Sequence, residues 1–194
     1  MSLNNKTAEL YLSFAGIFHR PHPEIAEHLE ELIELWRGEI PESKEQLVEI
    51  EDYCRKYPLV NDRLDTLWEH YIPLFETGDI EAIPYASVYF NDNGLVLGKE
   101  AEDVREFYLS CGYVIGNEKQ ELPDHLAVEL EFLALLARDG KTQKLAEFER
   151  DHLRPFLRTI LPLIIKSKRP VYSSAAKTLE IWQLNSDRKG DSIG

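Results

Sequence analysis

The chain has 194 residues, 43% of them hydrophobic, which is enough for one large domain or two small ones with a real core. Asp and Glu total 35 against 22 Lys and Arg, and the net charge of −13 argues against nucleic acid or an anionic membrane as a partner. The amino terminus lacks a basic segment followed by an apolar one, and no apolar run could span a membrane. We therefore expect a soluble, cytoplasmic protein that is not exported by its own signal.

Hydrophobic residues recur with helical spacing through most of the chain, and no strand pattern alternates with them. This periodicity predicts an all-α fold of about eight or nine helices. Gly38 is expected to end the second helix, and Ser43 and Gln46 to form a capping box before the third. Pro162 is expected in a short eighth helix separate from the seventh. The apolar stretches cover residues 10–18, 25–36, 47–57, 64–75, 104–111, 126–136, 145–157, 160–166 and 171–184.

Two segments interrupt the helical pattern. Residues 78–98 form a long link rich in turn-forming residues, and residues 116–123 are predicted to be a hinge. The hinge separates an N-terminal helical half, residues 1–115, from a C-terminal half, residues 124–184, and residues 185–194 are expected to be a flexible tail. A flexible connection between two helical halves is compatible with a monomer or with a domain-swapped dimer.

Charge is unevenly distributed along the sequence. Residues 24–52 hold eleven acidic and two basic residues, whereas residues 138–194 hold seven acidic and twelve basic residues. We interpret most of the acidic cluster as the solvated face of two helices, although an acidic surface also attracts a cationic ligand. Cys54 and Cys111 are too few for a disulfide framework and are expected to be reduced thiols in the core.

The segment 121–125, Glu-Leu-Pro-Asp-His, leads directly into a strongly apolar helix. Proline is favoured at the first helical position, and an acidic residue in the first turn suits the positive end of the helix dipole. We therefore expect Pro123 to begin the helix and Asp124 to lie in its first turn. His125 is a candidate general base because histidine titrates near neutrality, but it can equally tie the hinge to a neighbouring backbone group.

Metal or nucleophile chemistry has weaker support. His125 and Glu129 lie one helical turn apart and could share a metal, and Glu149 and His152 have the Glu-x-x-His spacing of di-iron bundles. The first pair has no convincing third ligand. The second pair has no second Glu-x-x-His copy, which a di-iron bundle requires. Ser87 also lacks the context of an activated nucleophile. The sequence therefore predicts no catalytic residue, no metal and no cofactor, with a helical metalloprotein as an alternative.

Aromatic residues favour a binding function instead. Trp68, Tyr71 and Ile72 are clustered on one helix just before the long link, and Pro84 and Tyr85 lie within the link. Such a stripe is usually core, but next to an irregular segment it could leave an apolar groove flanked by acidic residues. This groove would suit a peptide that has basic residues beside hydrophobic ones.

Four motifs follow one another along the sequence: Pro84-Tyr-Ala-Ser-Val-Tyr-Phe90 followed by Gly98, then Glu121-Leu-Pro-Asp-His125, His152-Leu-Arg-Pro-Phe156 and Arg169-Pro-Val-Tyr172. In these motifs and their order the sequence resembles, from about Trp68 to Trp182, the TorD/DmsD family of cytoplasmic molybdoenzyme maturation chaperones. The resemblance implies an all-helical, two-part fold and a chaperone that is not an enzyme. It also implies binding of the twin-arginine signal peptide and apo form of a molybdenum-containing oxidoreductase, which assists cofactor insertion and delays export.

The residues at the family's positions, together with Glu121, make up the predicted signal-peptide site. Asp124, with help from Glu121, is expected to meet the arginines, because guanidinium groups pair with carboxylates in a bidentate way. The aromatic side chains are expected to receive the apolar part of the peptide. An assembly chaperone of the related nitrate-reductase branch, which would bind the mature enzyme subunit, is an alternative. The predicted site residues are Trp68, Tyr71, Ile72, Pro84, Tyr85, Ser87, Gly98, Glu121, Asp124 and His125.

Overall fold

A computed structural model describes residues 3–91, 94, 96–115 and 121–190 of the chain, with side chains as far as residue 183. Over these residues the regular structure is helical, and the single extended pairing is an isolated antiparallel bridge between Tyr85 and His125. The predicted all-α fold class is therefore confirmed. No helix in this part of the chain combines the length and the apolar character needed to cross a bilayer.

The helices follow the predicted order with a few differences in their ends. Two π-helical turns continue preceding α-helices, and one 3-10 turn leads into α3. In chain order the elements are α1 (Leu3–Phe18), α2 (Pro23–Glu39), the 3-10 turn (Pro41–Ser43), α3 (Lys44–Lys56), α4 (Val60–Tyr71), the first π turn (Ile72–Glu76), α5 (Ser87–Phe90), α6 (Lys99–Ser110), α7 (Leu126–Arg138), α8 (Thr142–Phe148), the second π turn (Glu149–Leu153), α9 (Arg154–Lys166) and α10 (Pro170–Gly190).

Three expectations about helix ends are wrong. Gly38 lies inside α2, which runs to Glu39. The Ser43 hydroxyl donates to the carbonyl oxygen of Ile40 at 2.7 Å instead of capping α3, so the expected capping box does not form. Pro162 lies inside α9, because the helical backbone continues from α8 through the second π turn without the expected break.

The chain folds into two compact units that interleave along the sequence. The first unit comprises Met1–Phe18 and Ile83–Thr159, and the second comprises His19–Ala82 and Ile160–Gly194. This division differs from the halves predicted from the sequence, because α1 packs along α7 and α10 packs along α3.

The predicted hinge and tail fall partly beyond what the structure describes. Residues 116–120 of the hinge and 191–194 of the tail lie outside the described residues. Residues 185–190 of the predicted tail continue the backbone of α10.

The first unit is organised around α7. Ten of the thirteen residues of α7 are buried, because α1 covers one side of the helix and α8 packs on another. The rings of Phe107, Tyr108, Phe132 and Phe148 pack together beside α7, with centroids 4.1–6.1 Å apart. Each aromatic side chain of this kind stabilises the fold by about 1.5–3 kcal/mol when fully buried.

The second unit packs α2 against α3 and α4, and α10 against α3. Its interior includes Trp36, which is fully buried, and a group of rings in which Tyr71 and Phe75 lie 5.0 Å apart. Tyr172 of α10 contacts both rings and donates its hydroxyl to the carbonyl oxygen of Leu67 at 3.2 Å. The first π turn is thus anchored by aromatic packing within this unit.

Candidate functional site

Residues 121–125 form a turn before α7, which we call the Asp-His turn. Its backbone closes through a bond of 3.2 Å from the His125 N–H to the Leu122 carbonyl oxygen. His125 is the residue that caps α7, because its Nδ1 accepts the backbone N–H of Ala127 at 3.1 Å. The histidine thereby satisfies one of the N–H groups that the first turn of a helix leaves without an intrahelical partner.

This arrangement corrects the predicted start of α7. Pro123 does not occupy the first helical position, and Asp124 lies before the cap instead of inside the first turn. The expected interaction of Asp124 with the helix dipole is replaced by bonds to another segment. His125, in contrast, does bind a neighbouring backbone group, the N–H of Ala127, as one of the two interpretations of this residue predicts.

Asp124 joins the Asp-His turn to residues 84–87. Its side chain is fully buried, and its Oδ2 accepts the backbone N–H of Ser87 at 2.8 Å. Its carbonyl oxygen accepts the N–H of Ala86 at 3.0 Å, and the N–H of Leu126 donates to the carbonyl oxygen of Pro84 at 2.9 Å. Asp124 therefore holds two chain segments together, and its carboxylate does not face solvent.

Tyr85 and Glu121 lie at the outer side of the Asp-His turn. The Tyr85 hydroxyl donates to Glu121 Oε2 at 2.7 Å, and its ring meets the imidazole of His125 edge-on at 5.1 Å. The Tyr108 hydroxyl supports the turn by donating to the carbonyl oxygen of Pro123 at 2.8 Å. Because both Tyr85 and Glu121 are only half-buried, they are the members of this group that a ligand can reach.

Ser87 binds the Asp-His turn through its backbone N–H, whereas Gly98 lies farther along the same link, next to Asn91. Gly98 precedes α6 with an extended backbone, and a Cβ atom at this position would clash with the side chain of Asn91. A larger residue at this position would therefore require the Asn91 side chain to move, and the backbone conformation of Gly98 does not itself require glycine. Ser87 is fully buried and begins the short helix α5.

The remaining predicted site residues belong to the second unit. Tyr71 is 2% exposed and forms part of the core, with the ring of Trp68 packed edge-on at 5.9 Å. Ile72 lies in the first π turn with 39% of its surface exposed. The ten predicted residues thus form two groups, seven in the Asp-His turn and the link of the first unit and three on α4 and its π turn in the second.

A cavity of about 270 Å³ lies in the first unit, next to the link residues Ala86 and Phe90. Ala86, which binds Asp124, forms part of its wall, and acidic side chains from α6, α7 and the second π turn line much of the rest. We call it the acidic cavity. Its lining residues are Ala86, Phe90, Glu100, Asp103, Val104, Glu129, Asp151, His152 and Pro155.

Glu129 occupies the inner end of the acidic cavity. It is fully buried, and neither of its carboxyl oxygens has a hydrogen-bond partner among the residues that the structure describes. Burial, with a contribution from the charge of Asp124, raises the pKa of Glu129 well above its ordinary value. Buried polar groups are nearly always hydrogen-bonded in native proteins, so this carboxyl group requires an explanation.

The neighbours of Glu129 strengthen the acidic character of the cavity. Glu100 also has one buried carboxyl oxygen, Oε2, with no hydrogen-bond partner within the described part of the chain. Asp151 pairs with Arg150 through bonds of 2.7 and 2.6 Å. Burial lowers the pKa of His152, whose ring stacks on Phe148 at 4.9 Å, so the imidazole is neutral at pH 7 and does not offset the carboxylates.

One member of each pair considered as metal ligands is bound to another group. Glu149 accepts a hydrogen bond from the phenol of Tyr11 and lies 3.5 Å from Arg154, and His125 uses Nδ1 to cap α7. Over the residues that the structure describes, no group of three or more His, Cys, Asp and Glu side chains could hold a metal ion.

Comparison with known proteins places this fold in a family. The family model described as nitrate reductase delta subunit matches residues 23–161. The chain belongs to this family.

The curated relatives of this family member include TorD chaperones. The chaperone protein TorD of Vibrio cholerae serotype O1 strain O395 is 32% identical over 141 residues, which are 70% of this chain and 64% of that protein. The chain thus spans less than two thirds of that relative. The TorD protein of Photobacterium profundum is 28% identical over 159 residues, 79% of this chain and 73% of that protein. These matches confirm the resemblance to the TorD/DmsD family.

A solved structure supports the fold of this nitrate reductase delta subunit family member. A crystal structure assigned to a redox enzyme maturation protein from Archaeoglobus fulgidus superposes with a TM-score of 0.60 at 24% identity. The superposition covers 88% of this chain and 89% of the other.

Sequence reasoning about this family member missed the acidic cavity. Glu129 was considered only as a partner of His125, although the sequence holds a signal for its burial. Leu126 and Leu133 lie three and four residues away and share its helix face, so Glu129 interrupts an apolar stripe. Glu100 and Asp103 carried no comparable signal, because acidic residues at the start of a helix are common.

Proposed function

We propose that this chain is a TorD-like maturation chaperone, which binds the twin-arginine signal peptide and the apo form of a molybdenum-containing oxidoreductase. In this proposal it assists cofactor insertion and delays export of the enzyme, and it has no catalytic activity of its own. Membership of the family and the name of its TorD relatives support this function.

The observation that carries the proposal is the acidic cavity with an apolar residue at its border. Phe90, one of the lining residues, is 42% exposed, and it stands beside four carboxyl-bearing residues of the same cavity. A twin-arginine signal peptide places two cationic side chains next to an apolar stretch. The acidic and apolar surfaces of the first unit complement both parts of such a peptide.

The residues of the Asp-His turn divide into two roles in this proposal. Glu121 and Tyr85 contact the peptide, since both are half-buried at the surface of the first unit. Asp124 and His125 position them from inside the fold, through the bonds to Ser87 and to the first turn of α7. Asp124 uses Oδ2 to bind Ser87, and its Oδ1 is buried without a hydrogen-bond partner among the described residues. Direct pairing of Asp124 with an arginine, which the sequence suggested, therefore requires the arginine to reach inside the fold.

Calorimetric titration with the twin-arginine signal peptide of a molybdoenzyme from the same organism tests this function. We expect binding that weakens as salt rises, because the net charge of −13 attracts a cationic peptide through a screened interaction. A peptide with both arginines replaced by glutamine is the matched control and should bind less tightly. Failure of the wild-type protein to bind any twin-arginine peptide would contradict the proposal.

Two substitutions of Asp124 separate its possible roles. Asp124→Ala removes the acceptor for the Ser87 N–H and should weaken peptide binding by about 1.5–3 kcal/mol, the range for hydrogen bonds to charged groups. Asp124→Asn keeps an oxygen acceptor of the same size without the charge. Retention of affinity in Asp124→Asn supports the positioning role, whereas equal losses in both variants indicate direct pairing with an arginine.

Assembly of a nitrate reductase is a second candidate, favoured by the description of the matching family model. A chaperone of that kind binds the mature enzyme subunit and is indifferent to an isolated signal peptide. Titration with the apo subunit lacking its signal peptide distinguishes the two functions. Binding to this truncated subunit, with none to the peptide, would favour the nitrate-reductase function.

A further inference from the structure

A fully buried glutamate with two unpartnered carboxyl oxygens faces the acidic cavity from α7. In most proteins a buried carboxyl group receives donors from the chain or from water. Neither Glu129 oxygen has such a donor among the described residues, and one oxygen of Glu100 is in the same condition. The inner end of the cavity therefore offers several acceptor positions and lacks the donors that would normally occupy them.

We propose that the acidic cavity is a receptor for one guanidinium group, with Glu129 as its principal acceptor. This inference rests on the proposed function, because the guanidinium is that of an arginine in the bound peptide. A guanidinium group carries five N–H donors in a rigid, planar fork that fits carboxylates in pairs. It would supply donors to Glu129 and Glu100 at once.

The dimensions and walls of the cavity suit one long side chain. A volume of about 270 Å³ equals that of about nine waters at about 30 Å³ each, so it has room for the side chain of an arginine. Exposed Asp103 and Asp151 mark the mouth, and Glu129 lies at the buried end. Val104 and Pro155 provide apolar wall for the methylene groups of an arginine, which commonly pack along apolar surface.

None of the described residues that line the acidic cavity is a lysine or an arginine. Arg150 pairs with Asp151 at the mouth, and no hydrogen bond from a described residue reaches the carboxyl oxygens of Glu129. A metal ion is not favoured, since no metal-binding cluster occurs in the described part of the chain. A lysine is a poorer fit than an arginine, because an ammonium group is compact and strongly hydrated and loses more on burial.

Binding at this position is linked to a proton. Burial and the Asp124 charge keep Glu129 protonated to a higher pH than an ordinary glutamate, and a bound guanidinium favours its ionised form. The proton leaves Glu129 for solvent as the ion pair forms. Affinity should therefore rise with pH until Glu129 is ionised in the empty protein, by up to about tenfold per pH unit. The titratable groups around Glu129 and its helix are Asp124, Tyr108, Glu100, Asp103, Asp151, His152 and Tyr11.

A cycle of two proteins and two peptides tests the inference. The twin-arginine peptide and the same peptide with both arginines replaced by lysine are titrated into the wild type and into Glu129→Gln. We expect Glu129→Gln to lower affinity for the arginine peptide at least tenfold and for the lysine peptide less than twofold. Glu102→Gln, on the exposed side of α6, is the matched control and should change neither affinity more than twofold. Equal losses for both peptides, or no loss, would overturn the assignment.

Proton release on binding is a second measurement. It would not change if Glu129 had only a structural role. Calorimetry in two buffers of different ionisation enthalpy should give about one proton released per arginine peptide in the wild type, and none in Glu129→Gln. If Glu129→Gln does not fold, Glu100→Gln replaces it, with an expected loss of about threefold to tenfold for the arginine peptide alone. Release of no proton at any pH at which the protein is folded would overturn the role of Glu129.

A small probe distinguishes failure of the cavity from failure of the proposed function. If no twin-arginine peptide binds the wild type, the proposed function fails. N-acetyl-arginine amide is then titrated into protein carrying glutamate labelled with ¹³C at the side-chain carboxyl group. The inference predicts a shift of the Glu129 carboxyl resonance, identified by its absence in Glu129→Gln, that N-acetyl-lysine amide does not produce. No shift at saturating probe, or the same shift with both probes, would contradict it.

Discussion

Arg63 in the second unit and Glu129 in the first are both buried side chains that can carry a charge, yet their surroundings are opposite. The guanidinium of Arg63 is 6% exposed and is met by several acceptors from its own unit. The carboxyl group of Glu129 has no donor among the described residues. The acceptors of Arg63 are the carbonyl oxygens of Tyr57, Ala26 and Cys54 and the carboxylate of Glu30.

Arg63 therefore stabilises the fold, whereas Glu129 can accept hydrogen bonds from a ligand. A buried charge whose hydrogen bonds are all made within the fold stabilises one conformation and leaves nothing for a ligand. A buried charge without partners costs free energy in the empty protein, and a ligand that supplies the partners recovers that cost on binding. Substitutions at the two positions should therefore have effects of opposite sign on stability.

Arg63→Met should give the largest effect. It removes one donor from each of three backbone carbonyl oxygens, and we expect the free energy of unfolding to fall by about 2–4 kcal/mol. Denaturant titration followed by circular dichroism measures the change. Arg55→Met is the matched control on an exposed pair with Asp52 and should cost less than about 1 kcal/mol. Similar losses at the two positions would mean that the buried bonds of Arg63 contribute little.

Glu129→Leu should act in the opposite direction. Replacing an unpartnered buried carboxyl group by an apolar side chain of similar size should raise the free energy of unfolding at pH 7 by about 1–3 kcal/mol. The same denaturant titration measures this gain, and binding of the arginine peptide should be lost in parallel. A loss of stability would show that Glu129 has donors in the folded protein and would remove the contrast with Arg63.

The gain from Glu129→Leu should depend on pH. The folded protein holds the Glu129 proton to a higher pH than the unfolded chain, whose glutamate has the ordinary pKa. Wild-type stability from this group is therefore complete below the unfolded pKa and is lost as pH rises through the folded pKa, by roughly 1 kcal/mol per pH unit. The difference between variant and wild type should shrink steadily towards acid. A constant difference across this range would argue that Glu129 is not protonated in the fold.

The smallest predicted effect compares the histidine caps of the two units. His125→Ala removes the acceptor for the Ala127 N–H and should destabilise the protein by about 1 kcal/mol, with recovery in His125→Asn. His22 caps α2 in the second unit, but its bond to the Glu24 N–H is 3.4 Å long and exposed. His22→Ala should cost about half as much or less. Thermal denaturation measures both, and a larger effect at His22 would reverse the ranking.

Local patterns were sufficient to predict most helices but not their assembly. The apolar spacing of Leu126, Leu130 and Leu133 identifies α7 from a short window of sequence, because helical periodicity is a local property. The packing of α1 along α7 depends on residues more than one hundred positions apart, and no short window contains it. The predicted halves therefore differ from the units that the chain forms.

The site was predictable in outline for a similar reason. The sequence identified the Asp-His turn by its motif, and the cap formed by His125 is a local bond to Ala127, but the bond from Ser87 to Asp124 is a tertiary contact. The same contacts bury Asp124, which the sequence had suggested as an exposed partner for arginine. The acidic cavity needs side chains from three separate elements, and only their spacing in the fold brings them together.

The pairing of α1 with α7 also sets the order in which the protein can fold during its synthesis. α1 leaves the ribosome before α7, and residues 19–125 must follow before α7 begins to emerge. Translation proceeds at about 5–20 residues per second, so the apolar side chains of α1 remain uncovered for roughly 5–20 s before α7 is made. The second unit is likewise incomplete until α10 has been made. Neither unit can close before most of the chain exists, so the nascent protein itself carries exposed apolar helices for most of its translation.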